Sequence, residues 1–205
     1  QLARFLGCRE NVIAPLVPLQ IPSTALSYVD QNLRKLEVQQ PILINPGAGW
    51  ITKLWPAENY AQLSVRIEEE LNLPTVFTYG PGEEDLMEKV RKAISPRPVA
   101  SFPTDILQLA ALCQRARLFV GGDTGPLHLA VALGTPTVAI LGPTAAWRNG
   151  PFNPDDRVVK RQLFCSNSYK RTCDKFICMD IPVREVFDSV AQRLHLRRPV
   201  VDQLD

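Results

Sequence analysis

The feature that most constrains the fold of this chain is a repeated alternation of short apolar runs with amphipathic helical patterns. From residue 41 onward, runs such as 42–44 and 75–79 each lead through a glycine-containing turn into a helical pattern. Continuous apolar runs of this length are typical of strands buried on both faces, and strands separated by helices pair in parallel through right-handed crossovers. We therefore predict an α/β fold, a doubly wound parallel sheet of the Rossmann-like kind.

Apolar periodicity also places the individual elements of this sheet. Strands are predicted at 42–44, 75–79, 99–102, 118–120 and 137–141. Helices are predicted from Pro56 to about residue 72, around 86–94, through 106–113 after a cap at Thr104 or Asp105, at 126–133 and around 183–194. Beyond Gly142 the pattern gives way to a loop rich in Pro, Asn and Asp and to a segment with three cysteines, so no further strand is predicted.

The first 40 residues differ from the rest of the chain. Pro15, Pro18 and Pro22 interrupt short apolar stretches before a polar helical pattern at 26–38. We interpret this stretch as a tail, a linker or the remnant of another domain. Because the chain starts at Gln1 rather than Met, we expect it to be a piece of a longer protein.

Composition excludes several classes of function. The 205 residues carry 23 basic and 21 acidic side chains, a formal net charge of +2. This balance gives no field that would recruit nucleic acid or an anionic membrane by charge alone, so no nucleic-acid partner is expected. No apolar run approaches the roughly 20 residues of a membrane-spanning helix. An odd count of five cysteines and the lack of a signal-peptide pattern predict a reducing, cytoplasmic location.

The strongest candidate site is the stretch 121–128, which reads G-G-D-T-G-P-L-H between a predicted strand and a helix. Loops at the carboxyl ends of the strands hold the ligands of doubly wound sheets. Glycines allow close approach of the backbone, and a helix start offers unpaired N–H groups that bind phosphate. Thr124 adds a hydroxyl, and His128 lies one turn further on. The alternative is a helix cap at Asp123 or Thr124 with a histidine that only packs.

Two more loops after predicted strands carry charged residues. The loop 45–56 places Lys53 where it suits a diphosphate, although a solvated surface position is the commoner fate of a lysine. The acidic loop 80–85 places Glu84 at a helix start, where a carboxylate either complements the helix dipole or accepts hydrogen bonds from a ribose diol. Neither loop holds a P-loop or a complete dinucleotide fingerprint, which disfavours P-loop NTPases and NAD enzymes.

No metal site is expected from the residue types. The two histidines, His128 and His195, lie apart from the cysteine trio formed by Cys165, Cys173 and Cys178. Three thiols without a nearby histidine fall one ligand short of a structural zinc site.

Longer strings of this sequence recur together in one family. D-T-G-P-L-H-L-A at 123–130 is followed by A-L-G-T-P at 132–136 and L-G-P-T at 141–144, after K-L-W-P-A-E at 53–58 and Y-G-P-G-E-E at 79–84. Over about residues 41–195 the chain resembles the C-terminal half of the ADP-heptose:lipopolysaccharide heptosyltransferases, the inverting glycosyltransferases of family 9. A cysteine-rich segment before the last helix also occurs in many members.

The resemblance implies the C-terminal lobe of a two-lobed GT-B enzyme, which holds a nucleotide-diphosphate sugar, typically ADP-heptose, without a metal or other cofactor. Residues 1–40 then become the end of the N-terminal lobe with the interdomain linker, and 41–205 the donor-binding domain. By position, the diphosphate would be held by Lys53, Thr124, Gly125 and His128. Asp123 would face the sugar or order its loop, Glu84 would grip the ribose, and Thr104 would lie beside the adenine. Ala48 and Gly49 depart from the hydroxyl residues that members often carry near the phosphates.

The implied activity is metal-independent, inverting transfer of a heptose or related sugar to a lipopolysaccharide core or similar acceptor. The general base of the family is an Asp near the start of the N-terminal lobe. The acidic residues within 1–40 are Glu10, Asp30 and Glu37, and none fits that role. The chain alone is therefore expected to bind nucleotide without the base. The alternatives are a nucleotide- or phosphate-binding module that does no chemistry and a GT-B-like nucleotide-sugar epimerase.

Six basic residues crowd the loop after the fifth predicted strand. They are Arg157, Lys160, Arg161, Lys170, Arg171 and Lys175. They predict either a solvated loop or a peripheral contact with the anionic inner face of the cytoplasmic membrane.

Overall fold

A computed structural model describes residues 19–195 of the chain. Its strands are β1 (Ile42–Asn45), β2 (Thr75–Tyr79), β3 (Ser101–Pro103), β4 (Leu118–Gly122), β5 (Thr137–Ile140) and β6 (Arg157–Val159). They form one sheet in the order β3-β2-β1-β4-β5-β6, and every neighbouring pair is parallel. The predicted doubly wound parallel sheet is therefore confirmed.

Seven α-helices and two short 3-10 helices are described in the same range. The α-helices are α1 (Ser23–Lys35), α2 (Ala57–Leu71), α3 (Glu84–Ala93), α4 (Ile106–Arg115), α5 (Gly125–Ala132), α6 (Ala146–Asn149) and α7 (Val183–His195). The 3-10 helices are Ile51–Lys53 and Ile177–Met179. None of the helices within 19–195 has the length and apolar character needed to cross a bilayer.

Strand β1 shows how the sheet is buried on both faces. Ile42 and Ile44 contribute to one apolar layer and Leu43 to the other, in keeping with the two-residue period of a strand. The first layer also contains side chains of α2, α3 and α7, and the second contains those of α1, α4 and α5. This two-sided burial accounts for the continuous apolar runs of the central strands.

Local sequence sets the ends of the helices. Pro56 precedes the first residue of α2, and the helix stops at Asn72, which adopts a left-handed conformation with φ 52°. Helix α4 begins with a capping box: the Asp105 carboxylate accepts the N–H groups of Leu107 and Gln108, while the Gln108 side chain accepts the Asp105 N–H. Asp105 is thus the cap, and Thr104 lies just before it.

Helix α1 falls inside the stretch that we assigned to a preceding lobe and linker. Its Ala25, Val29 and Leu33 side chains are buried in the apolar layer beside α4. An ion pair of 2.8 Å between Asp30 Oδ1 and Arg115 Nε also joins the two helices. The domain boundary at residue 40 stays a prediction, and residues 1–18 of that stretch lie outside the described range.

Edge elements differ most from the sequence prediction. Strand β3 occupies Ser101–Pro103 rather than 99–102, and both β6 and the short helix α6 lie where no regular element was predicted. In β3 and β6 one residue of three is buried, because an edge strand covers less of the core. Their apolar runs are therefore too short to stand out.

Candidate functional site

The strand order reverses between β1 and β4, so the crevice of this sheet opens between the loops that follow these two strands. Asn45, the last residue of β1, is in register with Gly121 of β4. A Cβ at Gly121 would lie 3.0 Å from the Asn45 carbonyl oxygen and 2.8 Å from the Phe119 ring, so the close approach requires glycine there. The predicted phosphate loops 45–56 and 121–128 therefore meet at one point.

Lys53 and Asp123 join these two loops. The Lys53 Nζ atom lies 2.8 Å from Asp123 Oδ2 and donates a hydrogen bond of 3.1 Å to the Asp123 carbonyl oxygen. Both side chains are largely buried, with 11% of Lys53 and 2% of Asp123 exposed. Lys53 is thus held inside the crevice, which rules out the alternative of a solvated surface lysine.

The Asp123 carboxylate has further neighbours. Its Oδ1 atom accepts a hydrogen bond of 3.3 Å from Asn149 Nδ2, and His128 Nε2 lies 3.4 Å from the same oxygen. Burial disfavours the ionised carboxylate, but the hydrogen bond and charge of Lys53, together with hydrogen bonds from Thr144 and Asn149, lower the pKa of Asp123 below its usual value. Asp123 is therefore a buried anion that faces one fixed cation and an imidazole.

Helix α5 begins two residues after Asp123, at Gly125. Thr124 is its cap in extended conformation, and the Thr124 hydroxyl donates to the Gly122 carbonyl oxygen at 3.4 Å instead of capping the helix. The N–H groups of Gly125 and Leu127 lie in the first turn and have no acceptor within the helix. A Cβ at Gly125 would meet no atom within 4 Å, so this helix start opens into free space. Such a start binds anions.

His128 lies on the exposed side of α5. Its side chain is 47% exposed, and its Nε2 atom points to the Asp123 carboxylate. The reading of His128 as a residue that only packs is therefore wrong. The structure brings together Lys53, Asp123, Thr124, Gly125 and His128 of the predicted site residues.

Glu84 occupies a different place from its neighbour Glu83. Glu84 is exposed at the first residue of α3, whereas the Glu83 Oε2 atom accepts the Gly80 N–H at 2.8 Å. The Glu83 carboxylate also packs against Gly47, where a Cβ would lie 2.0 Å from Oε1. Glu83 is therefore the carboxylate that reaches the loop after β1. The ribose contact of Glu84 stays a prediction.

Thr104 lies at the end of β3 and is buried. Its hydroxyl shares a hydrogen bond of 2.7 Å with the Thr78 hydroxyl, and its N–H donates to the Tyr79 carbonyl oxygen at 3.0 Å. The side chain is thus used to join the ends of β2 and β3. A contact between this stretch and adenine stays a prediction.

Three residues of the site were not predicted from the sequence. Trp50 contacts the Lys53 ammonium, which lies 4.1 Å from its ring centre. Asn149 binds Asp123, and the Tyr169 hydroxyl donates to Asn149 Oδ1 at 3.1 Å. Asn149 and Tyr169 lie in the part of the sequence without apolar periodicity. Because they are distant from Asp123 along the chain, their contacts with the site could not be predicted from the sequence.

The cysteine trio lines a cavity of about 210 Å³ that also borders Thr52, the neighbour of Lys53. Over the described range 19–195, no group of His, Cys, Asp or Glu side chains is arranged so that it could hold a metal ion. The three thiols are not joined in a disulfide. The segment is thus a set of free thiols beside the Lys53 loop.

Comparison with known proteins assigns the family. The family model described as glycosyltransferase family 9 (heptosyltransferase) matches residues 17–176, which is well over half of the chain. The chain belongs to glycosyltransferase family 9. The resemblance found in the sequence is thereby confirmed.

Among the curated family 9 relatives is the lipooligosaccharide heptosyltransferase 2 of Campylobacter jejuni. It is 26% identical over 154 residues, which cover 68% of this chain and 48% of that protein. The chain spans about half the length of the curated relatives it matches.

Solved structures of family 9 proteins share the fold. The glycosyl transferase family 9 protein from Veillonella parvula superposes with a TM-score of 0.73 at 22% identity, covering 86% of this chain and 53% of that chain. E. coli heptosyltransferase WaaC with ADP superposes with a TM-score of 0.62 at 17% identity, covering 93% of this chain and 53% of that chain.

Proposed function

We propose that this chain is the donor-binding half of a heptosyltransferase, which transfers a heptose or related sugar from an ADP-sugar to a lipopolysaccharide core or similar acceptor. The observation that carries the proposal is the Lys53 ammonium fixed beside the open start of α5. Membership of family 9 and the relatives that are named heptosyltransferases support this choice of reaction. The structure of a relative with ADP supports the choice of nucleotide.

The diphosphate of the donor fits the start of α5. An ammonium group has three N–H donors. Lys53 donates one of them to the Asp123 carbonyl oxygen and forms an ion pair with the Asp123 carboxylate. A donor of Lys53 therefore remains for a phosphate oxygen. The N–H groups of Gly125 and Leu127 and the positive end of the helix dipole add to the same anion site.

The chemistry needs stabilisation of the leaving group. When the bond between the sugar C1 and the diphosphate breaks, negative charge develops on the diphosphate oxygens. Lys53 and the α5 start stabilise that charge without reorganisation, because Asp123 already holds the ammonium in place. His128 adds a second N–H donor or cation at the same helix. We therefore propose that the reaction needs no metal ion or other cofactor.

Inversion at C1 needs a general base that removes the proton of the acceptor hydroxyl. Asp30 is committed to its ion pair with Arg115, and Asp123 to Lys53. We place the base in the acceptor-binding part of the longer relatives. A nucleotide-binding module without chemistry and a nucleotide-sugar epimerase are less favoured, because the matched relatives are named for heptose transfer.

Calorimetric titration with ADP tests the donor site. The wild-type chain is expected to bind ADP, and Lys53→Ala is expected to lose about tenfold or more in affinity, the loss typical of a charged hydrogen bond. Lys92→Ala is the matched control, since Lys92 is an exposed lysine in the last turn of α3, outside the loops that follow β1 and β4. The absence of binding at millimolar ADP would contradict the proposal, and tighter binding of UDP than of ADP would favour the epimerase.

Assay of sugar transfer tests the assignment of the base. The 205-residue chain is expected to bind the donor and to transfer nothing measurable to an acceptor. Transfer by this chain alone would show that one of its own acids serves as the base.

We also propose peripheral association of this protein with the anionic inner face of the cytoplasmic membrane. Lys160 and Arg161 make internal contacts, with Asn167 and Asp180 respectively. Lys170 and Lys175 are exposed in the same segment, and Phe164 is 97% exposed beside them. Exposed aromatic and basic side chains together favour an anionic lipid interface over a solvated loop.

Sedimentation with phosphatidylglycerol vesicles tests this association. Binding is expected at low salt and is expected to fall for Phe164→Ser and for the double variant Lys170→Gln/Lys175→Gln. Equal recovery with neutral phosphatidylcholine vesicles, or no binding at any salt concentration, would contradict the membrane contact.

A further inference from the structure

The Trp50 ring contacts two cations from distant parts of the sequence. The Lys53 ammonium lies 4.1 Å from the ring centre, and the Arg171 guanidinium carbon lies 4.8 Å from it. Lys53 is already assigned to the donor site, whereas Arg171 belongs to the segment that carries the cysteine trio. The shared ring places Arg171 at the border of the donor site.

The backbone that leads to Arg171 is fixed against this site. The buried Thr52 hydroxyl donates to the Lys170 carbonyl oxygen at 2.8 Å. The Tyr169 N–H donates to the Pro143 carbonyl oxygen at 3.1 Å, and the Tyr169 hydroxyl is bound to Asn149. Arg171 therefore projects from a braced backbone, and its stacking on Trp50 is not the chance position of a surface side chain.

Charge balance shows what Arg171 can do there. Lys53 is paired with Asp123, so these two residues together add no net positive charge to the crevice. The α5 start supplies about half of a positive charge, which is less than the charge of a diphosphate. Within residues 19–195 no carboxylate lies within ion-pair distance of Arg171, which is exposed. Arg171 is thus a positioned cation whose charge is not neutralised by a neighbour.

Stacking leaves the recognition edge of Arg171 available. A guanidinium group that packs its face on an aromatic ring keeps its N–H groups in the plane, where they form paired hydrogen bonds with phosphate oxygens. We propose that Arg171 is a second anion-binding residue of the donor site, held on Trp50, and that it contacts the second phosphate of a nucleoside diphosphate. The assignment rests on the proposed function and names a residue that selects diphosphates over monophosphates.

Paired titrations with ADP and AMP test the assignment. Arg171→Ala is expected to weaken ADP binding about tenfold, the loss typical of a charged hydrogen bond, and to change AMP binding less than about twofold. Arg171→Lys is expected to recover only part of the ADP affinity, because an ammonium cannot form the paired contact. Trp50→Leu keeps the positive charge of Arg171 but removes the aromatic ring that holds the guanidinium group. It is expected to lower the ADP affinity by less than Arg171→Ala does.

The controls show whether a loss of ADP affinity comes from the Arg171 contact or only from the loss of one positive charge. They also distinguish a failure of the Arg171 proposal from a failure of the proposed function. Lys92→Ala removes one positive charge in the last turn of α3, outside the loops that follow β1 and β4, and is expected to leave both affinities unchanged. Thermal melting of each variant shows whether it is folded. An unchanged ratio of ADP to AMP affinity in folded Arg171→Ala overturns the role of Arg171 alone. Failure of the wild-type chain to bind either nucleotide overturns the donor site itself.

Discussion

Asp123 holds the Lys53 ammonium through two of its oxygens, with Nζ 2.8 Å from Oδ2 and 3.1 Å from the backbone carbonyl oxygen. The two residues lie 70 positions apart in the chain and come from the loops after β1 and β4. Their contact joins the two loops at the crevice where the strand order reverses. It also fixes the cation close to the start of α5, where we propose that the diphosphate binds.

The Asp123 carboxylate is expected to contribute to stability in a pH-dependent way. Its pKa is lowered in the folded protein, so its contribution is complete above the ordinary value of 3.8 and is lost as the pH falls through the lowered folded-state pKa. Asp123→Asn leaves the buried ammonium without its counter-ion and is expected to cost about 1–3 kcal/mol at pH 7.

Urea unfolding of both proteins between pH 3 and pH 8 measures this effect. The difference in the free energy of unfolding is expected to stay constant from pH 8 to about pH 5 and to shrink only below about pH 4. A difference that already shrinks between pH 7 and pH 5 would mean that another group controls the pair.

Gly47 and Glu83 give a second prediction. A Cβ at Gly47 would lie 2.0 Å from Glu83 Oε1, so Gly47→Ala must displace the Glu83 carboxylate and break its hydrogen bond to the Gly80 N–H. The expected cost is about 0.5–1.5 kcal/mol, the usual worth of one hydrogen bond. If Glu83 rather than Glu84 holds the ribose, Gly47→Ala and Glu83→Gln weaken ADP binding alike, and Glu84→Gln does not.

Gly49→Ala is the matched control for this experiment. A Cβ at Gly49 would meet no atom within 4 Å, so the variant is expected to melt like the wild type and to bind ADP equally well. Loss of ADP affinity in Glu84→Gln with none in Glu83→Gln would instead support the ribose contact that the sequence predicts.

The central part of the fold could be predicted because its strands are buried on both faces. Strand β2 spans Thr75–Tyr79 as predicted, and β1 extends one residue beyond the predicted run. The site residues Lys53 and Asp123 could be found because each follows such a strand. Their ion pair could not be predicted, because a side-chain contact between two distant loops produces no periodic pattern in the sequence.

The contacts of Tyr169 and Arg171 with the site could not be predicted either, because they too join segments that are distant in the sequence. Tyr169 and Arg171 belong to a segment whose conformation is set by single hydrogen bonds and by left-handed residues such as Asn167 and Tyr169 itself. Such backbone follows from tertiary contacts rather than from local propensity. The contact of the Glu83 carboxylate with Gly47 could not be predicted either, because adjacent acids in one turn are alike in sequence, and the ribose contact of Glu84 stays a prediction.

The hydrogen-bond chain from Tyr169 through Asn149 to Asp123 gives a third prediction. Tyr169→Phe removes the hydroxyl that donates to Asn149 Oδ1, and the Asn149 amide then loses the partner that orients it towards Asp123. We expect a stability loss of about 0.5–1.5 kcal/mol together with a several-fold loss of ADP affinity. Melting curves and calorimetric titration measure the two quantities on the same samples.

A control variant with a similar expected loss of stability shows whether the loss of ADP affinity in Tyr169→Phe is a separate effect. Thr135→Val removes a buried hydrogen bond of 2.9 Å to the Cys113 carbonyl oxygen, beyond the C-terminal end of α5, which is the end away from Asp123. It is expected to lower the melting temperature without changing the ADP affinity. If Tyr169→Phe behaves in the same way, the chain serves stability alone and does not position Asp123.

The last prediction concerns the reactivity of the cysteines. The N–H groups of Lys175 and Phe176 stabilise the thiolate of Cys173, so its pKa lies below the ordinary value of 9.0. Burial raises the pKa of Cys113 to about 12.

The thiolate is the form that reacts with iodoacetamide, so Cys173 is expected to be alkylated much faster than Cys113 at pH 7.5, as measured by mass spectrometry of quenched samples. The Cys173 rate is expected to rise with pH and to reach half of its maximum below pH 9.0, and Cys173→Ser is expected to remove the fast phase. Equal rates at Cys173 and Cys113 in the folded protein would contradict the stabilised thiolate.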